Sequence, residues 1–600
     1  MNENEITVYF EEARPTSFST RITITDIDIP DHMETVDFCD LFRETAKKCN
    51  NSSARSVYVN LMDSKKVFPN ITCLIVPETY TQPHYIIPNK MFPNVRKVIY
   101  GDDQKCSGLL YEKFSSYEVI VNNVFCRKED ETVDLNGITM IGNRAFAGCM
   151  SEHIINTQRL YRCEEFAFNG SIFEEKAKHQ PVVTAGSILA YVDFDCDTIE
   201  IPKGITVIRN SLLNNKHIHR LIIHDRKIIS ILPQSLTIDI LSCPEFDDSY
   251  TANCEAALCR ILSYEVSNNS FKNIGDVLYT SDGKTLVLYP NAKIGSYDIP
   301  DGVHAIAQKA FCFTKISKVS LPDSVISIGE AAFADSELEE IRFGTGITSF
   351  PNEITGVFER CRNLKSIDIP GTIQIIPSGM FFGCENLSSV TLHEGTTEIG
   401  GYAFQYCSSL HEIHLPDSIT YVGDDNFMYV QKLYFGRKIP SNIMYSLYSA
   451  RTSSPVEPHI KELYYNGDII YLPFNLTDQY FNTIVGLFSN EHIDKIKDIQ
   501  LDIFKNMKEK QEIAIRIFLN NPDDERCKSY LKRRGLKIST DFLESGEFKN
   551  LLQFLSLGLL SEKALQKLLA ISEEKNDTVA SSYIVDVINR TKQSKKNFRL

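Results

Sequence analysis

A phrase of 23 residues repeats along the middle of this chain and restricts its fold more than any other feature. It reads Leu-x-x-Val-x-Leu, a few polar residues, and then Ile-Gly-x-x-Ala-Phe-x-x-Cys-x-x-Leu. One copy consists of Leu387, Val390, Leu392, Ile399, Gly400, Ala403, Phe404, Cys407 and Leu410. Self-similarity at this period is typical of a solenoid, in which each repeat packs only on its neighbours. The sequence therefore predicts a repeat architecture and not a globular enzyme.

Each repeat carries one short stretch in which apolar and polar residues alternate, as in Ile367-Asp368-Ile369 and Val390-Thr391-Leu392. A period of two predicts a β-strand with one buried and one outward face. The second apolar residues of the strands are spaced by 22, 22, 26, 23, 23 and 20 residues: Ile299, Leu321, Phe343, Ile369, Leu392, Leu415 and Phe435. We therefore expect a column of parallel strands, one from each repeat.

Two residue types shape the segments between the strands. Proline cannot donate to a strand ladder, so it keeps a strand short. The prolines that follow strands are Pro202, Pro300, Pro322, Pro370 and Pro416. The glycines of the Ile-Gly pair suit either a positive φ or a close backbone approach. They are Gly142, Gly329, Gly400 and Gly423.

The charge balance limits the classes of partner. The formal net charge is −15, whereas residues 491–600 hold 21 Lys and Arg against 17 Asp and Glu, so the first 490 residues carry −19. An acidic field disfavours nucleic acid and membrane surfaces, so we expect neither. The acidic N-terminal residues precede no apolar segment, and no apolar run approaches ~18 residues. We therefore expect a cytoplasmic protein, with the cell surface as the alternative.

The repeated phrase resembles the BspA-like leucine-rich repeat family. The residues that carry the resemblance are Leu364 to Pro370, Phe381-Phe382-Gly383-Cys384 and the two copies that follow. The resemblance implies a leucine-rich repeat solenoid, and family members are implied to be adhesins, surface proteins or intracellular proteins. The segment Val277 to Lys284 also resembles insertions in bacterial members, and the C-terminal helical pattern resembles loosely ankyrin-like helical tails.

We predict five segments along the chain. They are degenerate N-terminal repeats or a cap (1–125), irregular leucine-rich repeats (126–275), a β-hairpin insertion (276–296), regular leucine-rich repeats (297–475) and an all-α C-terminal domain (476–600). The hairpin prediction rests on alternation on both sides of Asp282-Gly283. The helical prediction rests on a change of period to 3.6, with helix starts at Asn521-Pro522 and Ser561 and a third helix around Ile584.

Clusters that could carry chemistry have simpler structural interpretations. Cys149, Cys361, Cys384 and Cys407 each follow a repeat Phe by three residues, and Ser336 takes the same position after Phe333. A position that accepts Cys or Ser predicts a tightly packed small side chain with a weak donor, although redox or metal roles remain open. The histidine clusters are His217, His219 and His224, and His393, His411 and His414; without a carboxylate or third ligand they predict no metal site. Gly283-Lys284-Thr285 lacks the earlier glycine of a phosphate loop, so we expect no cofactor.

The remaining candidate is the outward face of the strand column. One residue from each strand lies between the apolar pair, and we name this set the strand stripe: Asp298, Ser320, Arg342, Asp368, Thr391, His414 and Tyr434. We expect a scaffold or sensor that binds a protein partner with this concave face, the helical end being a second docking surface. The alternatives are an adhesin exported without a signal peptide, and an enzyme whose chemistry lies in residues 1–290 or 480–600.

Overall fold

The computed structural model describes residues 6–12, 19–38, 41, 56–61, 66–76, 91–100, 103–107, 109–113, 118–125, 128–225, 227–245, 259–266, 268–348, 350, 356–448, 460–474, 476, 478–489 and 508–597. The chain forms two compact units. The first contains Met1–Ile294 and Ala307–Lys315, and the second contains Gly295–Ile306 and Ile316–Leu600.

The first unit is built from short strands joined by tight turns. Its described strands are Thr7–Glu12, Ser19–Asp28, Thr35–Asp37, Ser56–Leu61, Cys73–Val76, Lys97–Tyr100, Asp103–Ser107, Leu109–Lys113, Val119–Val124, Thr132–Asp134, Met140–Ile141, His153–Ile155, Arg162–Cys163, Val182–Ala185, Ile188–Val192, Thr198–Ile201, Val207–Ile208, His217–Ile223, Thr237–Ser242, Arg260–Glu265, Phe271–Ile274, Val277–Thr280 and Thr285–Leu288. Four of these strands pair in parallel, as repeating turns of a solenoid require: Thr198–Ile201, His217–Ile223, Thr237–Ser242 and Arg260–Glu265.

An antiparallel hairpin forms where Asp282-Gly283 predicts one. Val277–Thr280 pairs with Thr285–Leu288, and Gly283 has a φ of 78° in the turn. Phe271–Ile274 adds a third antiparallel strand that the sequence did not reveal. Because Lys284 leads into a strand and not into a helix, Gly283-Lys284-Thr285 does not form a phosphate loop.

The second unit contains the regular repeats. Its strands are Gly295–Asp298, Ala305–Ile306, Ile316–Ser320, Ser327–Ile328, Glu340–Arg342, Ser366–Ile369, Ile375–Ile376, Ser389–Leu392, Glu398–Ile399, Glu412–Leu415, Tyr421–Val422, Lys432–Phe435, Ile460–Tyr465 and Asp468–Pro473. The strands that carry the stripe pair in parallel with their neighbours, so the predicted solenoid of short parallel strands is confirmed. The final hairpin, Ile460–Tyr465 with Asp468–Pro473, is antiparallel and ends the column.

Left-handed residues recur at two positions of the repeats, and neither position is the glycine of the Ile-Gly pair. One follows that glycine position by two residues: Arg144, Ser211, Lys309, Ala331, Gly379, Tyr402 and Asp425. The other follows the repeat phenylalanine position by two: Gly148, Gly170, Asn215, Phe313, Asp335, Arg360, Gly383 and Tyr406. The sequence left two explanations open for the glycine of the Ile-Gly pair, a positive φ or a close backbone approach, and the first is wrong. The close approach is observed instead, since a Cβ on Gly400 would lie 2.5 Å from the Ser378 nitrogen, and one on Gly423 would lie 2.3 Å from the Gly401 nitrogen.

Stacked phenylalanine rings form the core of the second unit. Phe333, Phe358, Phe381 and Phe404 are buried and lie 5.2–5.3 Å apart between successive ring centroids. Phe427 continues the stack at 6.1 Å from Phe404. One ring from each repeat thus contacts the ring of the next, as Phe381 and Phe404 do.

Lys461 closes the last turn of the strand column from inside the protein. It is 1% exposed, and its Nζ donates to the carbonyl oxygens of Met428 and Val430 at 2.8 Å and of Phe427 at 3.3 Å. The Nζ also lies 4.0 Å from the ring centroid of Phe474. Burial lowers the pKa of this amine from 10.5 to about 7. The carbonyls and the ring contact the amine but offset only part of the cost of desolvating its ammonium form, because the pKa still falls.

Most of the described helices lie in the C-terminal part of the second unit, and two short ones lie in the first unit. The nine described helices of the chain are α1 (Ile172–Lys176), α2 (Lys227–Ile231), α3 (Ile443–Leu447), α4 (Asp478–Ser489), α5 (Lys508–Asn520), α6 (Glu525–Ser545), α7 (Phe548–Ser556), α8 (Glu562–Glu574) and α9 (Thr578–Asn597). Helices α5 to α9 bury Leu531, Ile538, Phe554, Leu568 and Ile584 between them. The predicted helical C-terminal region is therefore confirmed.

The capping residues agree with the sequence at one helix and not at another. Ser561 caps α8, its Oγ accepting from the backbone nitrogen of Ala564. The predicted start at Asn521-Pro522 is wrong, because α5 runs to Asn520 and Asn521 begins a tight turn. Asp524 caps α6 instead, its carboxylate accepting from the Cys527 nitrogen at 2.9 Å.

Candidate interaction surface on the strand column

The strand pairing brings the stripe residues side by side in three groups. Asp298 lies beside Ser320, and Ser320 lies beside Arg342. Asp368 lies beside Thr391, and His414 lies beside Tyr434. All seven are exposed or half-buried, while the neighbouring strand residues Ile367, Val390 and Ile413 are buried. The alternation predicted from the sequence therefore places the strand stripe on the outward face.

Part of the strand stripe pairs with its own neighbours. Glu340 accepts from Lys318 at 2.8 Å and from Arg342 at 2.9 Å. These hydrogen bonds lower the pKa of the Glu340 carboxyl, Lys318 having the larger effect. Asp368 lies 2.7 Å from the Nε2 of His393, a residue outside the strand stripe. Ion pairs in solvent contribute little stability, so a partner could replace these contacts at small cost.

Three stacked rings stand at the C-terminal end of the strand stripe, and we name them the ring ladder: His414, Tyr434 and Tyr464. The His414 and Tyr434 ring centroids are 4.1 Å apart with planes 2° from parallel. Tyr434 and Tyr464 are 4.2 Å apart with planes 13° from parallel. Their order follows from strand pairing, because the three residues occupy matching positions on adjacent parallel strands. Each inner ring face is covered by the next ring, so the ladder presents polar edges and the outer face of His414.

Charged groups surround the edges of the ring ladder. The Tyr464 hydroxyl donates to Glu462 Oε2 at 2.6 Å, and His414 Nε2 lies 3.1 Å from Glu412 Oε1. Burial, followed by the contact with Glu462, raises the pKa of Tyr464, so this hydroxyl stays protonated. Arg516 from α5 pairs with Glu462 and also donates to Glu512 at 2.8 Å. The helical part of the chain thus contributes one cation to this end of the strand face.

Tyr464 and Arg516 are the surface residues that sequence reasoning missed. The strand of Tyr464 begins 28 residues after that of Tyr434, outside the 20- to 26-residue spacing of the earlier strands. A usable signal was present, because Asn466-Gly467 is a strong hairpin turn. Asn466 and Gly467 both have positive φ, 49° and 81°, as that turn requires. No short-range signal pointed to Arg516, which lies 54 residues from Glu462 in sequence.

The cysteine column lies inside the repeats and not on the strand face. The Sγ atoms of Cys361, Cys384 and Cys407 donate to the carbonyl of the phenylalanine one repeat earlier, at 3.0, 3.1 and 3.3 Å. Ser336 Oγ lies 3.4 Å from Cys361 Sγ. Burial raises the pKa of Cys407 to about 12 and also raises the pKa of Cys384. A buried protonated thiol is a poor nucleophile and a poor metal ligand, so the column has a packing and hydrogen-bonding role.

The histidines His217 and His219 have a carboxylate partner, contrary to the expectation from the sequence. Asp239, on the adjacent strand, lies 2.8 Å from His217 Nε2 and 3.1 Å from His219 Nδ1, so this pair does have a carboxylate. Their hydrogen bonds lower the pKa of Asp239, that of His217 first. Within the described ranges, no group of three or more His, Cys, Asp or Glu side chains is arranged to hold a metal ion.

Comparison with protein-family models identifies repeats. The model described as BspA type Leucine rich repeat region matches six copies, at residues 118–236, 287–355 and 355–450. The match at 118–236 covers the weaker upstream copies of the phrase. No curated protein matches the sequence.

Solved structures of bacterial leucine-rich repeat proteins are similar to parts of the chain. A leucine rich cell surface protein from Faecalibacterium prausnitzii is 18% identical over 74% of this chain and 98% of its own, with a TM-score of 0.27. A leucine-rich repeat protein from Eubacterium ventriosum is 18% identical over 73% and 97%, with a TM-score of 0.28. The pneumococcal vaccine antigen PcpA is 16% identical over 72% and 94%, with a TM-score of 0.26.

Proposed function

Because the chain belongs to the BspA-type leucine-rich repeat family, we propose that it is a non-catalytic scaffold or sensor that binds a protein partner on the strand stripe. Extended surfaces made by successive repeats are the usual binding sites of solenoids. The partner chemistry that this face suits is a polypeptide surface carrying both hydrogen-bonding and apolar groups.

The ring ladder is the observation that carries the proposal. His414, Tyr434 and Tyr464 form a rigid row, and tyrosine and arginine are enriched among the residues that dominate binding energy. Stacked rings have already lost their rotational freedom, so a partner that contacts them pays little further entropy. Arg516 and Glu462 lie at one end of the row and supply charged contacts there.

The neighbouring residues extend the proposed surface in both directions. Thr391 and Asp368 continue the strand stripe from His414, and Asp368 already contacts His393. Arg516 belongs to α5, so a partner that reaches it touches the helical part as well as the strand column. We infer that the helical part is the second docking surface for the same partner.

We also infer a reducing compartment, on the chemistry of the cysteines. Cys163, Cys243, Cys384 and Cys407 are free thiols, and the Sγ atoms of Cys384 and Cys407 donate to backbone carbonyls. Disulfides are rare in the cytosol, where thiols are kept reduced. Among the described helices, none is both long and apolar enough to cross a bilayer. Surface proteolysis of intact cells tests the compartment, because cleavage of this protein under those conditions would support the exported alternative.

The test of the binding face is affinity capture from the native host with matched variants. The stripe variant is Asp368→Arg, Thr391→Arg and His414→Glu. The control is Gln374→Arg, Thr397→Arg and Thr420→Glu. It alters exposed residues of the same three repeats, each immediately before the second short strand of its repeat.

We expect a partner retained by the wild type and the control to be lost by the stripe variant, while all three proteins keep the same circular dichroism spectrum. Replacing either Tyr434 or Tyr464 with Ala should weaken binding of the partner roughly tenfold. This factor corresponds to a loss of about 1.4 kcal/mol of binding free energy, as expected for a residue that contributes strongly to an interface. A stripe variant that captures the partner as well as the control does would exclude this face. The helical part would then become the better candidate.

A further inference from the structure

Two tyrosines in the second unit combine solvent exposure with an unfavourable backbone. Tyr402 is 47% exposed and Tyr406 is 44% exposed. Both have a φ of 60°, in the left-handed region that glycine, asparagine and aspartate tolerate best. They lie four positions apart on the turn that carries the buried Phe404, and not on the strand column.

Other repeats place Arg, Lys, Ala, Asp or Phe at these two left-handed positions, and the preceding repeat places glycine. Gly379 and Gly383 occupy the same two places there, with φ values of 71° and 74°. A Cβ on an L-residue in this conformation approaches its own carbonyl oxygen too closely. Burial can compensate such strain, but neither tyrosine is buried. Hydrogen bonds between successive turns, such as that from the Tyr402 nitrogen to the Asp424 carbonyl, hold these positions left-handed, and here the positions carry two exposed aromatic rings.

Other aromatic rings extend this surface. Phe382 is half-buried and meets Tyr406 edge-to-face, with 5.2 Å between ring centroids. Tyr429, from the next repeat, is also half-buried, and burial together with the nearby Tyr406 raises the pKa of its hydroxyl. We name these four residues the turn patch: Phe382, Tyr402, Tyr406 and Tyr429.

Carboxylates border the turn patch on two sides. The Tyr402 nitrogen donates to the backbone carbonyl of Asp424 at 2.8 Å, which brings Asp424 and Asp425 next to that turn. The Ser409 nitrogen donates to the carbonyl of Glu385 at 3.1 Å, which brings Glu385 to its other end. The aromatic rings therefore lie between acidic groups of the preceding and following repeats.

The charge of the surrounding repeats is one-sided. Residues 366–431 contain no Lys or Arg, although Lys and Arg make up 63 of the 600 residues of the chain. The same segment contains eight acids: Asp368, Glu385, Glu394, Glu398, Glu412, Asp417, Asp424 and Asp425. Cations resume on both sides, at Lys365 and Lys432. The repeats that carry the turn patch thus supply −8 of the −19 carried by the first 490 residues.

We propose that the turn patch binds a basic peptide segment of a partner protein, through arginine or lysine side chains. A guanidinium or ammonium group is attracted to the face of a tyrosine ring, and the adjacent carboxylates neutralise its charge. The exposed rings of Tyr402 and Tyr406 distinguish this surface from the strand stripe, whose ring faces are largely covered. One bordering carboxylate, Glu385, already pairs with Arg362 at 3.2 Å, and a partner cation would compete with that exposed ion pair. This surface is additional to the one in the proposed function and does not depend on it.

The test uses two peptides and the full chain. The probe is a fluorescein-labelled octapeptide of alternating Arg and Gly, and the matched neutral probe alternates Gln and Gly. Fluorescence anisotropy should give at least tenfold tighter binding of the Arg probe. Binding should weaken between about 50 and about 300 mM NaCl, because salt screens exposed charges. Equal binding of both probes, or binding of a Glu-Gly octapeptide in their place, would overturn the proposal.

Variants separate binding from folding. The double variant Tyr402→Gly with Tyr406→Gly should bind the Arg probe roughly tenfold more weakly than the wild type. This is the loss of affinity expected for two cation–π contacts. The same variant should keep or raise its thermal midpoint, because glycine relieves the left-handed strain. Tyr402→Asn with Tyr406→Asn provides a second test, since asparagine also tolerates this conformation. Tyr161→Ala removes a tyrosine that is 57% exposed in the other unit, and it should bind as the wild type does.

Three outcomes refute the proposal. The first is wild-type affinity in both double variants. The second is a lowered thermal midpoint in both, because the tyrosines would then stabilise the fold. The third is loss of self-association in the double variants without any binding of the Arg probe, because the surface would then hold a second copy of this chain.

Discussion

Phe404→Ala tests the packing of the second unit most directly. The Phe404 ring is 1% exposed and lies between the rings of Phe381 and Phe427, at 5.3 and 6.1 Å. Truncation of a buried phenylalanine costs about 3–5 kcal/mol, and each stacked aromatic pair adds about 0.5–1.5 kcal/mol beyond buried area. Measured truncation costs already include lost ring contacts, and Phe404 has two of them, so we expect the free energy of unfolding to fall by the upper part of that range, about 4–5 kcal/mol.

Urea unfolding followed by circular dichroism measures this change, and it is suitable because the chain contains no tryptophan. Phe166→Ala is the control, since the Phe166 ring is 48% exposed and should cost less than ~0.5 kcal/mol. Hydrogen exchange should show lost protection in the repeats adjoining Phe404 first, because each repeat leans on its neighbours. If the two variants unfold at the same urea concentration, the ring stack does not stabilise the second unit and this reasoning is refuted.

Three further predictions concern the interior. Cys384→Ser and Cys407→Ser should each cost only about 1 kcal/mol, because a hydroxyl can donate to the same carbonyl; mass spectrometry without reductant should find free thiols at both positions in the wild type. Since the pKa of Lys461 falls from 10.5 unfolded to about 7 folded, the unfolded state holds more protons between those values. The free energy of unfolding should therefore rise with pH across that window, and urea titrations of Lys461→Met should lack the rise. Gly371→Ala should lower the thermal midpoint and cost about 1–3 kcal/mol, because a Cβ there would lie 1.9 Å from the Glu394 carbonyl oxygen, which is backbone and cannot rotate away.

The solenoid was predictable because its signal is repeated. Strand alternation, the buried phenylalanine and the small Cys or Ser position each recur in phase, so agreement among copies compensates for weak copies. The left-handed positions were not predictable in this way, since they hold Arg, Lys and Tyr as well as Gly and Asp. Their conformation is imposed by the hydrogen bonds between successive turns, such as that from the Tyr402 nitrogen to the Asp424 carbonyl, and not by residue type.

The candidate site was predictable only where it follows strand periodicity. Asp368, Thr391 and His414 were placed correctly on the outward face because alternation alone decides which side a strand residue faces. Tyr464 joins the ring ladder through a strand that breaks the repeat spacing, and Arg516 joins through tertiary packing. The binding role of the strand stripe remains a prediction.

The contacts of Lys461 fix the position at which the array of repeats ends. In earlier repeats a thiol donates to the carbonyl of the preceding phenylalanine, whereas the carbonyl of Phe427 accepts from an ammonium group instead. A gene duplication that inserted one more 23-residue unit between Cys384 and Cys407 would recreate the same interface on both sides. An insertion after Val430 would separate Lys461 from its three carbonyls and leave a buried cation without acceptors. Duplication or loss of internal repeats is therefore compatible with this packing, whereas the last turn must keep Lys461 next to its three carbonyls.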